Sequence, residues 1–482
     1  MKHFESNSYR VLNTEEINEI HQTSIRILEE VGFEISYEPL MQILEDEGAL
    51  VSWENKRVYL SRKLITRCIK QAPSEFVYYG LGDGNELHMG GDQVYFGTGG
   101  EALYVLDEGQ NRRKARLQDV THFACLADKL ENVSFYIIPV HSQDININHL
   151  DINVFYHALK NTGKPVMGGI VNPEGFHKVV ELGSLLAGGL EKLQNKPFVG
   201  FISAITSPLK IGNDSAHILM EVARYGLPLV TTTAPIAGVT APVTLAGTLT
   251  LQNAEALLGI VLSQLINPGT PVFYSAVPCT MDLSTGSFLM GGIESGLMNA
   301  AVSQMAHYYR VPCYLTVGVT DSKLPDAQAA YESATNSLLG ALSGGNFLHE
   351  AFGFLDGALT ISYAKFIIDN DIVGSSLRVL EGINVNRDTL GFDAVAEVGP
   401  GGNFMMNKHT VKHMRDELYV PRVSFRRDYH SWVKSGKKDT WQKAEEIARE
   451  MIETSCAKYI SKDLDDQILK KFPDILVQET VN

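Results

Sequence analysis

The stretch PCYLTVGVTDSKLPDAQAAYESATNSLLGA, residues 312–341, places a short apolar run, then a small polar loop, then a helix-length pattern. The run reads as a strand over 312–317 and the pattern as a helix over 326–343, with a loop between them that holds Gly318, Thr320, Asp321, Lys323 and Asp326. One such unit is ambiguous, but its repetition is not. Strands are expected at 94–98, 134–140, 165–170, 198–203, 228–233, 271–276, 312–317 and 346–349. Helical patterns fall between them near 118–131, 149–162, 174–188, 213–225, 246–266, 291–309 and 326–343, with a last one near 359–373. Eight strands each followed by a helix imply an α/β chain with a (β/α)8 TIM barrel over 94–373. A doubly wound open sheet is the rival arrangement. The hairpin-like insertion EALYVLDEGQNRRKAR, 101–116, displaces the first barrel helix.

Outside the barrel, Asn13 and Glu16 have capping-box spacing ahead of Ile17, Ile20, Ile25, Leu28 and Val31, and Gly32 ends that helix. A second helix near 38–47 and an alternating stretch at 56–60 make residues 1–93 a small N-terminal α+β cap. Residues 374–482 turn more charged and read as a C-terminal helical extension carrying Trp432 and Trp441.

A chain of 482 residues, 44% apolar and 20% charged, can bury one large core with appendages. No basic segment joined to an apolar run opens it, and its apolar runs are broken by Gly, Ser, Asn or Gln, so a cytoplasmic protein with no membrane segment is expected. A formal charge of −15 argues against nucleic acid, and the one basic cluster, 112–116, is short. Cys68, Cys125, Cys279, Cys313 and Cys456 stand singly, which suggests reduced thiols and no cysteine zinc site.

In a barrel, function belongs on the loops that leave the carboxyl ends of the strands. Here those loops are rich in Gly, Ser, Thr and Pro and poor in charge: 97–102, 139–144, 168–175, 203–209, 232–242, 275–286, 318–326 and 349–357. Lys164 and Lys196 precede their strands and Lys323 sits in a polar loop, so no Schiff-base lysine is placed at a strand end. His141 and Asp144 could meet His349 and Glu350 as metal ligands, although a hydrogen-bonding role for His349 competes with that reading. No GxSxG elbow occurs, and the glycines from Gly168 lack a dinucleotide-binding context but could cradle a phosphate.

FGTGGEALYVLDEGQNRRKARLQDV (96–120), TAPIAGVTAPVTLAGTL (233–249) and TDSKLPDAQAAYES (320–333) resemble the trimethylamine methyltransferase family, and the resemblance spans most of the chain. It implies a (β/α)8 protein that moves a methyl group from an amine to the cobalt of a separate corrinoid protein. No cofactor is then held by the chain itself, and no metal. The archaeal trimethylamine enzymes carry pyrrolysine in the barrel, whereas this sequence has ordinary residues throughout, including 317–320 at the end of the seventh strand. It is therefore similar to the non-pyrrolysine branch, which uses quaternary amines such as glycine betaine; carnitine, γ-butyrobetaine and proline betaine are alternatives. A metal-dependent lyase or hydrolase and a non-catalytic quaternary-amine binder are the other classes.

A quaternary nitrogen already bears the charge that lets a tertiary amine leave, so no catalytic acid or covalent nucleophile is required, only positioning and exclusion of water. Such a cation is held by aromatic faces and a carboxylate. Candidate cage residues are Phe96, Tyr274, Tyr331, Phe352 and Phe354, with Glu101 and Glu350 as carboxylates. Candidate donors for a betaine carboxylate are Thr98, His141, Thr233, His349 and the backbone of Gly99 and Gly100. Gly318, Thr320 and Asp321 are expected at the rim; the alternative for Asp321 and Asp326 is a helix cap and an ion pair with Lys323. A corrinoid protein and the amine are the expected partners, 429–441 is a candidate docking segment, and a homo-oligomer is expected.

Overall fold

All eight expected strands form at or near their expected places in the computed structural model, which describes residues 3–477 apart from Gly109 and Ser455. They are β1 (Tyr95–Phe96), β2 (Tyr136–Ile137), β3 (Val166–Gly169), β4 (Val199–Ile205), β5 (Leu229–Thr233), β6 (Val272–Ala276), β7 (Cys313–Thr316) and β8 (Phe347–His349). From β2 to β8 each strand pairs in parallel with the next, and β8 pairs with β1. A parallel bridge between Gly97 and Phe135 joins β1 to β2, with Ser134 N donating to Phe96 O at 2.6 Å, so the sheet closes on itself. The open-sheet alternative is excluded by that closure.

The barrel helices are α1 (Leu117–Lys129), α2 (Leu150–Asn161), α3 (Pro173–Ala187), α4 (Asn213–Tyr225), α5 (Leu245–Ile266), α6 (Ile293–Tyr309), α7 (Ala327–Leu342) and α8 (Tyr363–Leu380). Helix α5 is long and apolar enough to cross a membrane, but 83% of that window is buried within the protein.

The N-terminal residues are built onto this barrel. Helix Thr14–Arg26 has the reciprocal Asn13–Glu16 cap and packs on α5, as does helix Arg62–Gln71. Strands Phe33–Ile35, Arg57–Tyr59 and Leu50–Ser52 form a sheet whose fourth member, Lys210–Ile211, is supplied by the loop after β4. The hairpin Glu75–Tyr78/Leu87–Gly90 lies under the barrel. Its Tyr78 is fully buried, donates to Val166 O at 2.5 Å and stands where any side chain on Gly200 would be. Phe76 meets Phe273 edge-on at 5.2 Å. Together they plug the end away from the strands' carboxyl termini.

At the other end, the hairpin of the first loop and the eighth loop form one sheet, Phe354–Leu355, Thr360–Ser362, Tyr104–Leu106 and Arg112–Lys114. The C-terminal residues are largely helical, and helix Thr440–Glu453 packs on α8 and α1.

One expectation fails in the cysteines. Cys125 on α1 and Cys456 beyond helix Thr440–Glu453 form a disulfide with a Cα separation of 5.6 Å, while Cys68, Cys279 and Cys313 are free and buried. A separation of 331 residues hides this pairing from sequence spacing. Bonds of this kind persist where the surroundings are oxidising. Thiol titration of the denatured, unreduced protein is expected to find three of the five cysteines reactive; five would mean that the bond does not form.

Candidate active site at the barrel mouth

Strand alternation decides what the barrel interior contains. Phe347 stacks on Phe135 at 3.4 Å and lies 5.1 Å from Phe273, which makes an aromatic layer above the hairpin plug. Tyr314 lies above it, 5.9 Å from Phe347, and the His349 ring stacks on Tyr314 at 3.9 Å. Two-residue steps along β5 to β8 therefore turn Thr232, Ser275, Thr316 and His349 inward near the mouth. Ser275 Oγ is buried without a hydrogen-bond partner.

Glu350 follows directly on β8. Its φ is +60°, a left-handed conformation uncommon away from glycine, and its side chain lies against Gly99 and Gly100. A Cβ on Gly99 would collide with Glu350 Cγ and its backbone N, and one on Gly100 would sit 2.5 Å from Oε1. Those glycines make room for the carboxyl group. Glu350 is 6% exposed, and burial pushes its pKa up to about 8. Neither Glu350 Oε2 nor His349 Nδ1 has a hydrogen-bond partner, and the two stand 4.0 Å apart, too far to bond each other. His349 Nε2 shares a 2.8 Å hydrogen bond with Thr316 Oγ1, and burial holds the imidazole well below its usual pKa, hence neutral. No Lys or Arg pairs with Glu350 among the described residues.

A second acidic group lies across the mouth. Glu101 is 3.5 Å from His141 Nδ1 and close over Gly169, and it raises the pKa of His141. Asp151 accepts from Val171 N at 3.1 Å, and burial lifts its pKa to about 6.

The rim loop 318–326 is tied on every side. Asp321 accepts from Met290 N at 2.9 Å and Gly291 N at 3.0 Å, which fastens it to the preceding loop. Glu332 on α7 accepts from Thr320 Oγ1, and from Asp321 N at 2.9 Å. Asp326 is the cap of α7, accepting from Ala329 N, and Lys323 pairs with Asp356 at 3.3 Å rather than with either aspartate. Behind the loop, Ser333 Oγ and Lys365 Nζ both donate to Gly318 O.

Several expected site residues lie elsewhere. Tyr274 points out of the barrel and donates to Asn253 Oδ1 on α5 at 2.6 Å. Phe96 is in register with Leu348, which faces Gly340 and Gly345, so it too faces the helix layer. Phe352 packs on Phe366 of α8 at 5.3 Å, Phe354 is buried in the loop sheet, and Tyr331 is 61% exposed on α7. None of these five joins a cage around Glu350. Thr233 gives its proton to Glu255 of α5, which also accepts from Ser207 Oγ at 2.7 Å, and Thr98 gives its own to Ile137 O at 2.6 Å. A hydroxyl has one proton, so neither offers a donor to a ligand. Asp144 accepts from Leu117 N, away from His349, and no group of three or more His, Cys, Asp or Glu suited to a metal occurs among the described residues.

Residues 2–477 match the family described as trimethylamine methyltransferase (MTTB). The chain belongs to this family. It is 36% identical over 472 residues to a glycine betaine methyltransferase of Desulfitobacterium hafniense (strain Y51), covering 98% of this chain and 97% of the relative. It is 33% identical to the trimethylamine methyltransferase MttB of Desulfitobacterium hafniense (strain DSM 10664 / DCB-2), over 97% of this chain and 93% of that one. Against the MttB of Methanosarcina thermophila the identity is 31%, over 94% and 95%.

In this member of the trimethylamine methyltransferase family, the residues missed by sequence reasoning are Tyr314, Thr232, Ser275, Asp151 and Lys365. The first three were legible in principle: once Thr316 is set inward, a period of two brings Tyr314 with it. Lys365 gave no local signal, because it sits in the first turn of α8 and reaches Gly318 only through the fold.

Gly99→Ala forces Glu350 to move. Overpacking of this kind costs about 1–3 kcal/mol, so turnover is expected to fall on the order of 10- to 100-fold with the far-ultraviolet circular dichroism unchanged. Full activity in that variant would mean that Glu350 need not stay where it is.

Proposed function

We propose that this methyltransferase takes its methyl group from a quaternary amine, glycine betaine first among them, and gives it to the Co(I) of a corrinoid carried by a separate protein. The observation that carries the reading is Glu350, a buried carboxyl with no cationic partner, beside the aromatic Tyr314 and His349. A permanent cation has no N–H to donate, and what attracts it is ionised carboxylate and ring faces. The similarity to a glycine betaine methyltransferase over 98% of the chain supports the same substrate.

On this reading Glu350 and Tyr314 face the ammonium, while Ser275 and Thr232 donate to the betaine carboxylate. Transfer breaks one N–CH3 bond and forms one Co–CH3 bond. The nitrogen keeps the bonding pair and leaves as a neutral tertiary amine, and Co(I) supplies the new pair and becomes Co(III). The loops hold the N–CH3 axis toward the mouth and keep water out, and the transfer step itself moves no proton.

The test is anaerobic. The protein, reduced Co(I) corrinoid protein and each of glycine betaine, proline betaine, carnitine, γ-butyrobetaine and trimethylamine are mixed, and the visible spectrum is followed for methyl-Co(III). Glycine betaine alone giving a signal is expected. Turnover of trimethylamine but of no quaternary amine would overturn the substrate, and binding without transfer in any mixture would overturn the reaction.

A further inference from the structure

Apart from the main core, Leu106, Ala329 and Leu355 form a small buried apolar cluster of their own, with Leu324 and Trp441 packed against it. Its members are far apart in the chain. Leu106 lies in the hairpin of the first loop, Leu324 in the rim loop after β7, Ala329 in the first turn of α7 and Leu355 in the loop after β8. Trp441 comes from outside the barrel, in the first turn of helix Thr440–Glu453, and it also packs on the main core. The same three loops build the Glu350 site. The first brings Gly99 and Gly100 against the carboxyl group, and the eighth carries it. The seventh sets Gly318 against the next residue, where a Cβ on Gly318 would lie 2.7 Å from Ala351 Cα. Backbone joins the seventh and eighth loops further on, Asp356 N donating to Ser322 O at 2.8 Å and Gly357 N to Thr320 O at 3.0 Å. The helix that carries Trp441 is itself fixed along its length. Arg449 pairs with Glu108 of the first-loop hairpin at 2.8 Å, Lys129 of α1 donates to Met451 O at 2.5 Å and Thr454 O at 2.9 Å, and Cys456 is bonded to Cys125.

We propose that Trp441 is a positioning residue for methyl transfer, holding the first, seventh and eighth loops together from outside the barrel so that the groups around Glu350 keep one arrangement. It acts through Leu106, Leu324 and Leu355 rather than by touching the reacting groups. Loops at an exposed rim are weakly fixed by hydrogen bonds alone, because water competes for each of them. An indole adds a large, rigid apolar face at low entropic cost, and here that face ties all three loops to the body of the protein. Alignment is what this reaction asks of its loops, and misplacement by about 1 Å can slow such a reaction about a hundredfold.

Hydrogen exchange on the full chain tests the clamp without a substrate. In Trp441→Ala, amides of 318–326 and 350–357 should exchange about tenfold faster while those of β3 to β6 stay as they were. Leu324→Ala, across the same contact, should give the same pattern and keeps the test open if Trp441→Ala fails to fold. The catalytic readout rests on the proposed function. With the amine that the unmodified protein demethylates, kcat should fall about 10- to 100-fold in Trp441→Ala, and Trp441→Phe, which keeps an aromatic face, should recover most of it. Loosened loops also admit water to Glu350, so the break in amine affinity near pH 8 should move to lower pH, which a loss of stability elsewhere would not do. Unchanged exchange in both loops, faster exchange spread evenly over the chain, or a kcat within about twofold of the unmodified protein would overturn the proposal. If the unmodified protein takes a methyl group from none of the amines, the substrate reading fails, and the exchange pattern still decides whether Trp441 clamps the loops.

Discussion

Glu350→Gln is expected to lower kcat/KM for a quaternary amine about a hundred- to a thousandfold, since a charge facing the ammonium at close range contributes roughly 3–4 kcal/mol at the effective dielectric of a protein interior. The amide keeps the shape that Gly99 and Gly100 accommodate, so the loss isolates charge from packing. The pH dependence separates this from a structural effect. Burial raises the Glu350 pKa to about 8, so below that pH the free protein carries a neutral carboxyl that must ionise before a cation gains from it. Affinity should weaken about tenfold for each pH unit below 8 and level off above it. In Glu350→Gln that slope should vanish. Calorimetry in buffers of different ionisation enthalpy should also detect a proton released on binding near neutral pH. An unchanged pH slope in the variant would assign the proton elsewhere.

The same shift acts on folding with the opposite benefit. The folded protein holds the Glu350 proton up to about pH 8, while the unfolded chain loses it near 4.5. Between those values the native state binds more protons, so stability falls as pH rises through that window. Glu350→Gln should be the more stable protein at high pH and the poorer enzyme.

Lys365→Met should have the largest effect on stability. Lys365 and Asp369 form a 2.7 Å ion pair with both side chains 1% exposed. Burial pushes the lysine pKa down and the aspartate pKa up, and the pair stays charged because Ser333 Oγ and Gly318 O accept from Lys365 while Gly353 N donates to Asp369. Removing one partner strands the other charge and costs about 3–5 kcal/mol. A matching drop in urea-unfolding free energy is expected. Lys365→Met with Asp369→Leu should recover much of it, because two apolar groups leave no buried charge. If the double variant is no better than the single, the lysine acts through its bonds to the rim loop rather than through charge balance.

The barrel was legible because a buried parallel strand reads as an apolar run and each crossover helix has its own period, and both signals survive in a single sequence. His349, Glu350, Gly99 and Gly100 could be found because each ends a strand. Choosing aromatics by nearness to a strand end misled for Tyr274, because position along a strand does not say which face a residue takes. Had Pro271–Ala276 been read in alternation with Phe273 inward, Ser275 would have replaced it. The Cys125–Cys456 bond and the Lys365 network join residues distant in sequence, and no local pattern marks such pairs.

Tyr78 and Phe76 seal the far end of the barrel. With that end closed, entry from the mouth imposes an order of events. On the proposed reaction, the amine must be inside before the corrinoid protein covers the entrance, and the demethylated product cannot leave until that protein departs. Acceptor arriving too early would lock an empty chamber, so abundance of the methyl acceptor becomes a brake on the enzyme as well as its supply.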